Sequence, residues 1–194
     1  DHGVASRFLH DRLEIGSYVA VFQASSSSGI GGGSFVLTAD AAARRVPVVF
    51  IAAGVGVTPL LSMLQSLHGS SGNSSTSSAL SAPILFFFGV RDLAHAPLLS
   101  EVARAVVEAG QPSSNLVVAL SRSSVNSAED ASLPAGTALL TGRLSGAAIA
   151  SRLGAELAPR AQIYLCGPAA FMASLTQQLV DAGCREELIF SEQF

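Results

Sequence analysis

The sequence predicts an α/β fold: a five-stranded parallel sheet with helices on both faces, preceded by a remnant of an antiparallel β-barrel. Three observations carry that expectation. From Pro47 onward, short apolar runs alternate with amphipathic stretches of helical spacing. The first of those runs is joined to its helix by a glycine turn, Ala53-Gly54-Val55-Gly56-Val57-Thr58-Pro59. The first forty residues keep neither rhythm.

Taken in order, Ser6 to Leu13 reads as a short helix capped by Ser6, with Tyr18 to Gln23 and Phe35 to Leu37 as short strands. That sequence of elements fits the tail of a barrel better than a βαβ unit. A boundary is expected between Ala39 and Arg45, separating an incomplete first part, residues 1–40, from a second domain, residues 41–194. Val46 to Ala52 is rich in β-branched residues, as a strand buried on both faces should be. Thr58 is placed to cap the following helix, Pro59 to Leu67, with Pro59 as its first residue. Strand Pro83 to Phe88, helix Pro97 to Ala109 and strand Asn115 to Leu120 come next. Ala138 to Thr141 is a short apolar piece outside the five strands. A helix near Ser145 to Leu157, strand Gln162 to Leu165, helix Ala169 to Ala182 and strand Glu187 to Ser191 complete the pattern. Two low-complexity stretches, Ser25 to Gly33 and Gly69 to Ser81, read as surface loops.

Composition narrows the function. The 194 residues are 49% hydrophobic and 13% charged, with a net charge of -3, which argues against nucleic acid as the main partner. All 11 basic residues are arginine, a bias of composition and not a basic face. Two cysteines and four scattered histidines have no metal-ligand spacing, so neither a disulfide framework nor a metal site is expected. The apolar runs Val46 to Val57 and Ile84 to Val90 are too short to span a membrane, and no targeting segment is recognisable. A processed or partial product in the cytoplasm or an organelle matrix is expected.

In an open parallel sheet, ligands bind beyond the carboxyl ends of the strands. The unusual residues collect there: Gly54 and Gly56, then Gly89-Val90-Arg91-Asp92, Ser121-Arg122, Cys166-Gly167-Pro168, and Ser191-Glu192. Gly54 and Gly56 leave room for a pyrophosphate or a ring near the backbone, and the helix start behind them offers free N–H groups. The pattern is G-x-G-x-x-P, not the G-x-G-x-x-G of common dinucleotide folds.

These residues, with Phe88-Gly89-Val90-Arg91-Asp92 and with Tyr164 to Pro168 followed by Phe171-Met172, resemble the nicotinamide-binding domain of the ferredoxin–NADP reductase superfamily. Gly3-Val4-Ala5-Ser6 with Leu9-His10-Asp11 resembles the end of that family's flavin barrel, most closely in flavohaemoglobin reductase domains. The resemblance implies a ferredoxin reductase-like fold and a flavin-dependent NAD(P)H oxidoreductase that passes hydride from NAD(P)H to FAD and electrons onward. The acceptor would be a haem, an iron–sulfur protein or a small molecule.

Residue by residue, the resemblance puts the Gly3, Val4, Ala5 and Ser6 backbone at the FAD pyrophosphate. It puts Gly54, Val55, Gly56, Thr58 and Pro59 along the nicotinamide and pyrophosphate, and Gly167 and Pro168 in the turn beside them. Cys166 would position the nicotinamide, Glu192 would orient the ring or relay protons, and Phe194 would cover the flavin. Arg91, Ser121 and Arg122 would meet the adenosine end. Each has a plainer reading: a buried cysteine is often only a small hydrophobe, a terminal phenylalanine packs or frays, and an arginine is often solvated.

The chain departs from the family in two places. The R-x-Y-S-type segment that holds the flavin belongs upstream of Gly3 and is not in this sequence; the usual Pro-x-Gly-x-Phe is represented by Gly33-Ser34-Phe35. The remaining barrel would come from a missing segment or a partner chain. The other reading, from a different class, is a degenerate reductase kept as a structural or nucleotide-sensing subunit.

Overall fold

The computed structural model describes residues 4–18, 35–67, 82–122, 133 and 135–192. The chain divides into two units between Ser34 and Phe35. In the first, helix α1 (Val4–Asp11) begins two residues before Ser6, so Ser6 lies inside it and does not cap it. Phe8, Ile15 and Tyr18 are exposed. The expected barrel strand at Phe35 to Leu37 does not form. Tyr18 is not in a strand, and residues 19–23, like the two low-complexity stretches, lie outside the described residues.

The second unit opens on a segment fastened to the sheet. Thr38 caps the short helix α2 (Ala39–Ala42), accepting from the Ala41 N–H. The same hydroxyl donates to Gln162 Oε1 at 2.5 Å, and the Thr38 N–H donates to the Tyr164 hydroxyl at 3.0 Å. Phe35 packs edge-on against Tyr164. Phe35 and Thr38 are thus packed on the sheet just ahead of the boundary expected between Ala39 and Arg45.

Six strands, not five, form the sheet among the described residues: β1 (Val48–Ala53), β2 (Ile84–Val90), β3 (Leu116–Leu120), β4 (Ala138–Thr141), β5 (Gln162–Cys166) and β6 (Ile189–Glu192). All neighbouring pairs are parallel, in the order β4-β3-β2-β1-β5-β6. The short apolar piece Ala138–Thr141 is the edge strand beside β3. Its four residues, none fully buried, give too short a run to separate from a loop by sequence.

Period-two alternation sends each strand's side chains to two separate cores. Phe50, Ala52, Phe86, Phe88, Val118 and Cys166 pack beneath α3 (Val57–Ser66) and α4 (Leu99–Glu108). Val49, Ile51, Phe87, Val117, Ile163 and Leu165 pack beneath α5 (Gly146–Leu157) and α6 (Ala169–Asp181). Burial on both faces is why the strands read as unbroken apolar runs. No helix among the described residues is long and apolar enough to cross a membrane.

Candidate functional site

Strand order reverses between β1 and β5, because β2, β3 and β4 continue to one side of β1 while β5 and β6 lie on the other. Two turns leave the carboxyl ends of these central strands side by side, which is where an open α/β sheet holds its ligand.

The first turn is a single 3₁₀ turn, Gly54–Gly56. Its two glycines serve different ends. Gly54 has φ +55°, a left-handed conformation, and nothing stands within 4 Å of where a Cβ would be. Gly56 is buried, and a Cβ there would overlap the Cys166 carbonyl oxygen and stand 2.6 Å from its carbon. The space the sequence reserved for a ligand at Gly56 is filled by the second turn. Thr58 is not the helix cap: α3 begins at Val57, and the Thr58 hydroxyl donates to the Val55 carbonyl at 3.0 Å, closing the turn. Pro59 is the third residue of that helix, and Val55 is exposed at the turn's tip.

The second turn, Cys166-Gly167-Pro168, is equally tight. A Cβ on Gly167 would stand 2.9 Å from the Ala53 Cβ and 3.1 Å from Phe171 Cδ1. Pro168 then starts α6 in an extended conformation, with no side chain capping the 13-residue helix. Its first N–H groups thus lack a side-chain acceptor.

Above the α5 and α6 face, a cleft of about 650 Å³ opens along this edge, bordered by Gly54, Arg91, Ser121 and Pro168 among the expected residues. His95, Arg143, Ser145, Ser174 and Gln178 add polar groups, and Leu144, Phe171 and Leu175 give it an apolar wall. None of the described lining residues is acidic. The absence of a side chain at Gly89 lets Leu144 approach: a Cβ there would stand 3.2 Å from Leu144 Cδ1. The α5 helix start is already satisfied, since Ser145 Oγ accepts from the Ala148 N–H at 3.3 Å and Gln178 Oε1 from the Gly146 N–H at 3.0 Å. Asp92 caps the 3₁₀ turn Leu93–His95 and holds the His95 ring through Nδ1 at 2.6 Å. The hydrogen bond from His95 keeps the Asp92 carboxyl below its usual range.

Cys166 faces the other way. Its side chain belongs to the α3 and α4 core and is wholly buried. Burial pushes its thiol pKa up, and the Glu192 carboxylate raises it further. Cys166 and Glu192 are register partners on β5 and β6, Glu192 being exposed. The carboxyl edge therefore has a cationic side and a side bearing a neutral thiol and a carboxylate.

Arg122 is exposed and does not border the cleft. Val4, Ala5 and Ser6 form the first turn of α1 in the other unit, and Gly3 and Phe194 lie outside the described residues. Sequence reading overlooked Arg143, which follows the edge strand taken for a loose apolar piece. His95, one of the four scattered histidines, carried no signal in the sequence, because its bond to Asp92 and its place at the cleft depend on how the turn after β2 folds.

Residues 50–177 match the family model of the oxidoreductase NAD-binding domain. Among curated proteins, a flavohaemoprotein of Deinococcus radiodurans is 29% identical over 193 residues, covering 99% of this chain and 40% of its own length. Among solved structures, the flavohaemoglobin-like FAD/NAD-binding domain of nitric oxide dioxygenase from Vibrio cholerae superposes with a TM-score of 0.60. It is 20% identical and covers 99% of this chain and 65% of that one. The flavohaemoglobin of Malassezia yamatoensis, with bound FAD and haem, gives a TM-score of 0.58 at 24% identity, over 77% of this chain and 32% of that one. The chain thus spans less than two thirds of each of these relatives, and the likeness to the two solved structures is one of fold.

Proposed function

The chain belongs to the oxidoreductase NAD-binding domain family, within the ferredoxin–NADP reductase superfamily, and on that premise we propose that it is the nucleotide-binding part of a flavin-dependent NAD(P)H oxidoreductase. In such an enzyme NAD(P)H would supply hydride to bound FAD, and the electron acceptor would be a haem, an iron–sulfur protein or a small molecule. The observation that carries this reading is the pair of interlocked turns at the strand-order reversal, with Gly54 bare and open toward the cleft.

The residues suit a dinucleotide. Gly54 lets a ring or pyrophosphate reach the backbone, and the uncapped start of α6 presents N–H groups to its charge. A dinucleotide laid along the carboxyl edge joins the cationic cleft to the Cys166 and Glu192 side. For FAD, the first turn of α1 supplies backbone N–H groups of the kind that hold a pyrophosphate.

The chemistry FAD supplies when bound is acceptance of a hydride and release of electrons singly or in pairs. The chain's own part is orientation and exclusion of water. Cys166 is kept neutral by burial in the core under α3, so it is no nucleophile and would act on the ring only by fixing the turn that follows it. Glu192, exposed beside it, is the group able to hold a proton, on its carboxylate oxygens.

The test is anaerobic addition of NADPH or NADH to the full-length protein supplied with FAD, read as loss of the oxidised flavin's visible absorbance. Bleaching within the mixing time is expected. Dinucleotide binding without flavin reduction would overturn the reductase reading and leave a nucleotide-sensing subunit.

A further inference from the structure

We propose that Tyr164 and Thr38 are positioning residues: their buried hydrogen bonds lock residues 35–38 at one height on β5, and so fix the point at which the preceding, flavin-side chain is tethered for hydride transfer. This rests on the reductase reading above and goes beyond it in naming the residues that hold the tether. Residues 35–38 open the second unit, directly after the division between Ser34 and Phe35.

The polar bonds form a closed triangle. The Thr38 N–H donates to the Tyr164 hydroxyl at 3.0 Å, that hydroxyl donates to Gln162 Oε1 at 3.3 Å, and the Thr38 hydroxyl donates to the same oxygen. Tyr164 is fully buried, and Gln162 is the one amide or charged side chain buried as a whole among the described residues. A phenylalanine at 164 would fill the same core with no polar atom to satisfy, so the triangle adds direction and not burial.

Direction is what this segment needs. Phe35 and Leu37 pack on the core while Val36 between them is exposed, and no strand ladder holds residues 35–37 in register. A slip by one residue would turn Val36 inward and both neighbours outward. Thr38 carries the bonds that forbid it. The other end of the segment is fastened as well: the Arg44 guanidinium donates to the Ala109 carbonyl at 2.9 Å, and the Arg44 carbonyl accepts from the Ala82 N–H at 3.1 Å.

The height matters because of what lies further along the same face. Tyr164 precedes Cys166 by two residues on β5, and its register partner Phe190 precedes Glu192 by two on β6. Tyr164 stacks on Phe190 with ring centroids 5.1 Å apart, and Phe35 meets it edge-on at 6.1 Å. The anchor thus stands two residues, roughly 7 Å along the strands, behind the Cys166 and Glu192 pair at the carboxyl edge.

The test compares the full-length wild type with Tyr164→Phe, which keeps the ring and removes the hydroxyl. Amide hydrogen exchange at Thr38 should quicken by about tenfold, the worth of a lost hydrogen bond. Affinity for NADP⁺, read by calorimetry, should be unchanged. With FAD supplied, the rate of flavin reduction by NADPH should fall on the order of tenfold, because small displacements of reacting groups are costly. Thr38→Val should slow reduction likewise, and Thr38→Ser, which keeps the hydroxyl, should restore it. Unchanged exchange at Thr38, or faster exchange with reduction at the wild-type rate, would overturn the assignment. So would a matching loss of NADP⁺ affinity, which would make Tyr164 a support of the dinucleotide turn alone. A wild type that binds NADP⁺ but leaves FAD oxidised is failure of the reductase reading, and the positioning role falls with it.

Discussion

Gly56 and Cys166 are in backbone contact across the two central turns: the Gly56 Cα faces the Cys166 carbonyl so closely that no side chain fits between them. The contact joins the end of β1 to the end of β5 at the place where the strand order reverses. It packs the two turns directly against each other, so a change at one must displace the other.

Gly54 and Gly56 should therefore respond differently to alanine. Gly56→Ala must push the second turn away from a buried carbonyl, a cost of about 1–3 kcal/mol for overpacking, and should also weaken dinucleotide binding. Gly54→Ala meets no atom but keeps a left-handed φ, a strain of about 1–2 kcal/mol. Chemical denaturation of both variants checks the ranking, and equal losses in which only Gly54→Ala reduces binding would contradict it.

The fold was largely legible in the sequence because strands buried on both faces leave unmistakable apolar runs, as in Phe86 to Phe88. The edge strand Ala138–Thr141 was not, since an edge strand this short is only partly buried and carries little signal. Of the candidate site, what was legible was a set of strand ends, four of whose residues, Gly54, Arg91, Ser121 and Pro168, border one cleft. What sequence does not carry is which side of the sheet a strand end serves. Cys166 and Arg143 both follow apolar runs, yet one enters the core under α3 and the other borders the cleft beside α5. Thr58 and Ser6 looked like caps because their residue type favours that position, while the helices begin one and two residues earlier.

The buried thiol predicts how stability changes with pH. Folding raises the Cys166 pKa, so the native state holds its proton at a pH where the unfolded chain has begun to release it. Its contribution is complete below the unfolded thiol's range and is lost as pH rises from about 8.5 through the raised folded value. Cys184, also raised by burial, acts in the same sense. Denaturation profiles of the wild type should fall more steeply above that pH than those of Cys166→Ala. Glu192→Gln removes the second cause of the shift, and should lower the thiol's pKa and speed its alkylation by iodoacetamide. Rapid alkylation of Cys166 in the native wild type near neutral pH would contradict its placement.

The central claim is that the carboxyl edge at the strand-order reversal holds a nicotinamide dinucleotide. The most direct measurement is a titration of the isotope-labelled chain with NADP⁺, followed by the amide resonances of each residue. Saturable shifts at Gly54, Val55, Gly167, Ala170 and Ser121 are predicted, all fitting one dissociation constant. Saturable shifts confined to other surfaces of the folded chain, or none at all, would contradict the account.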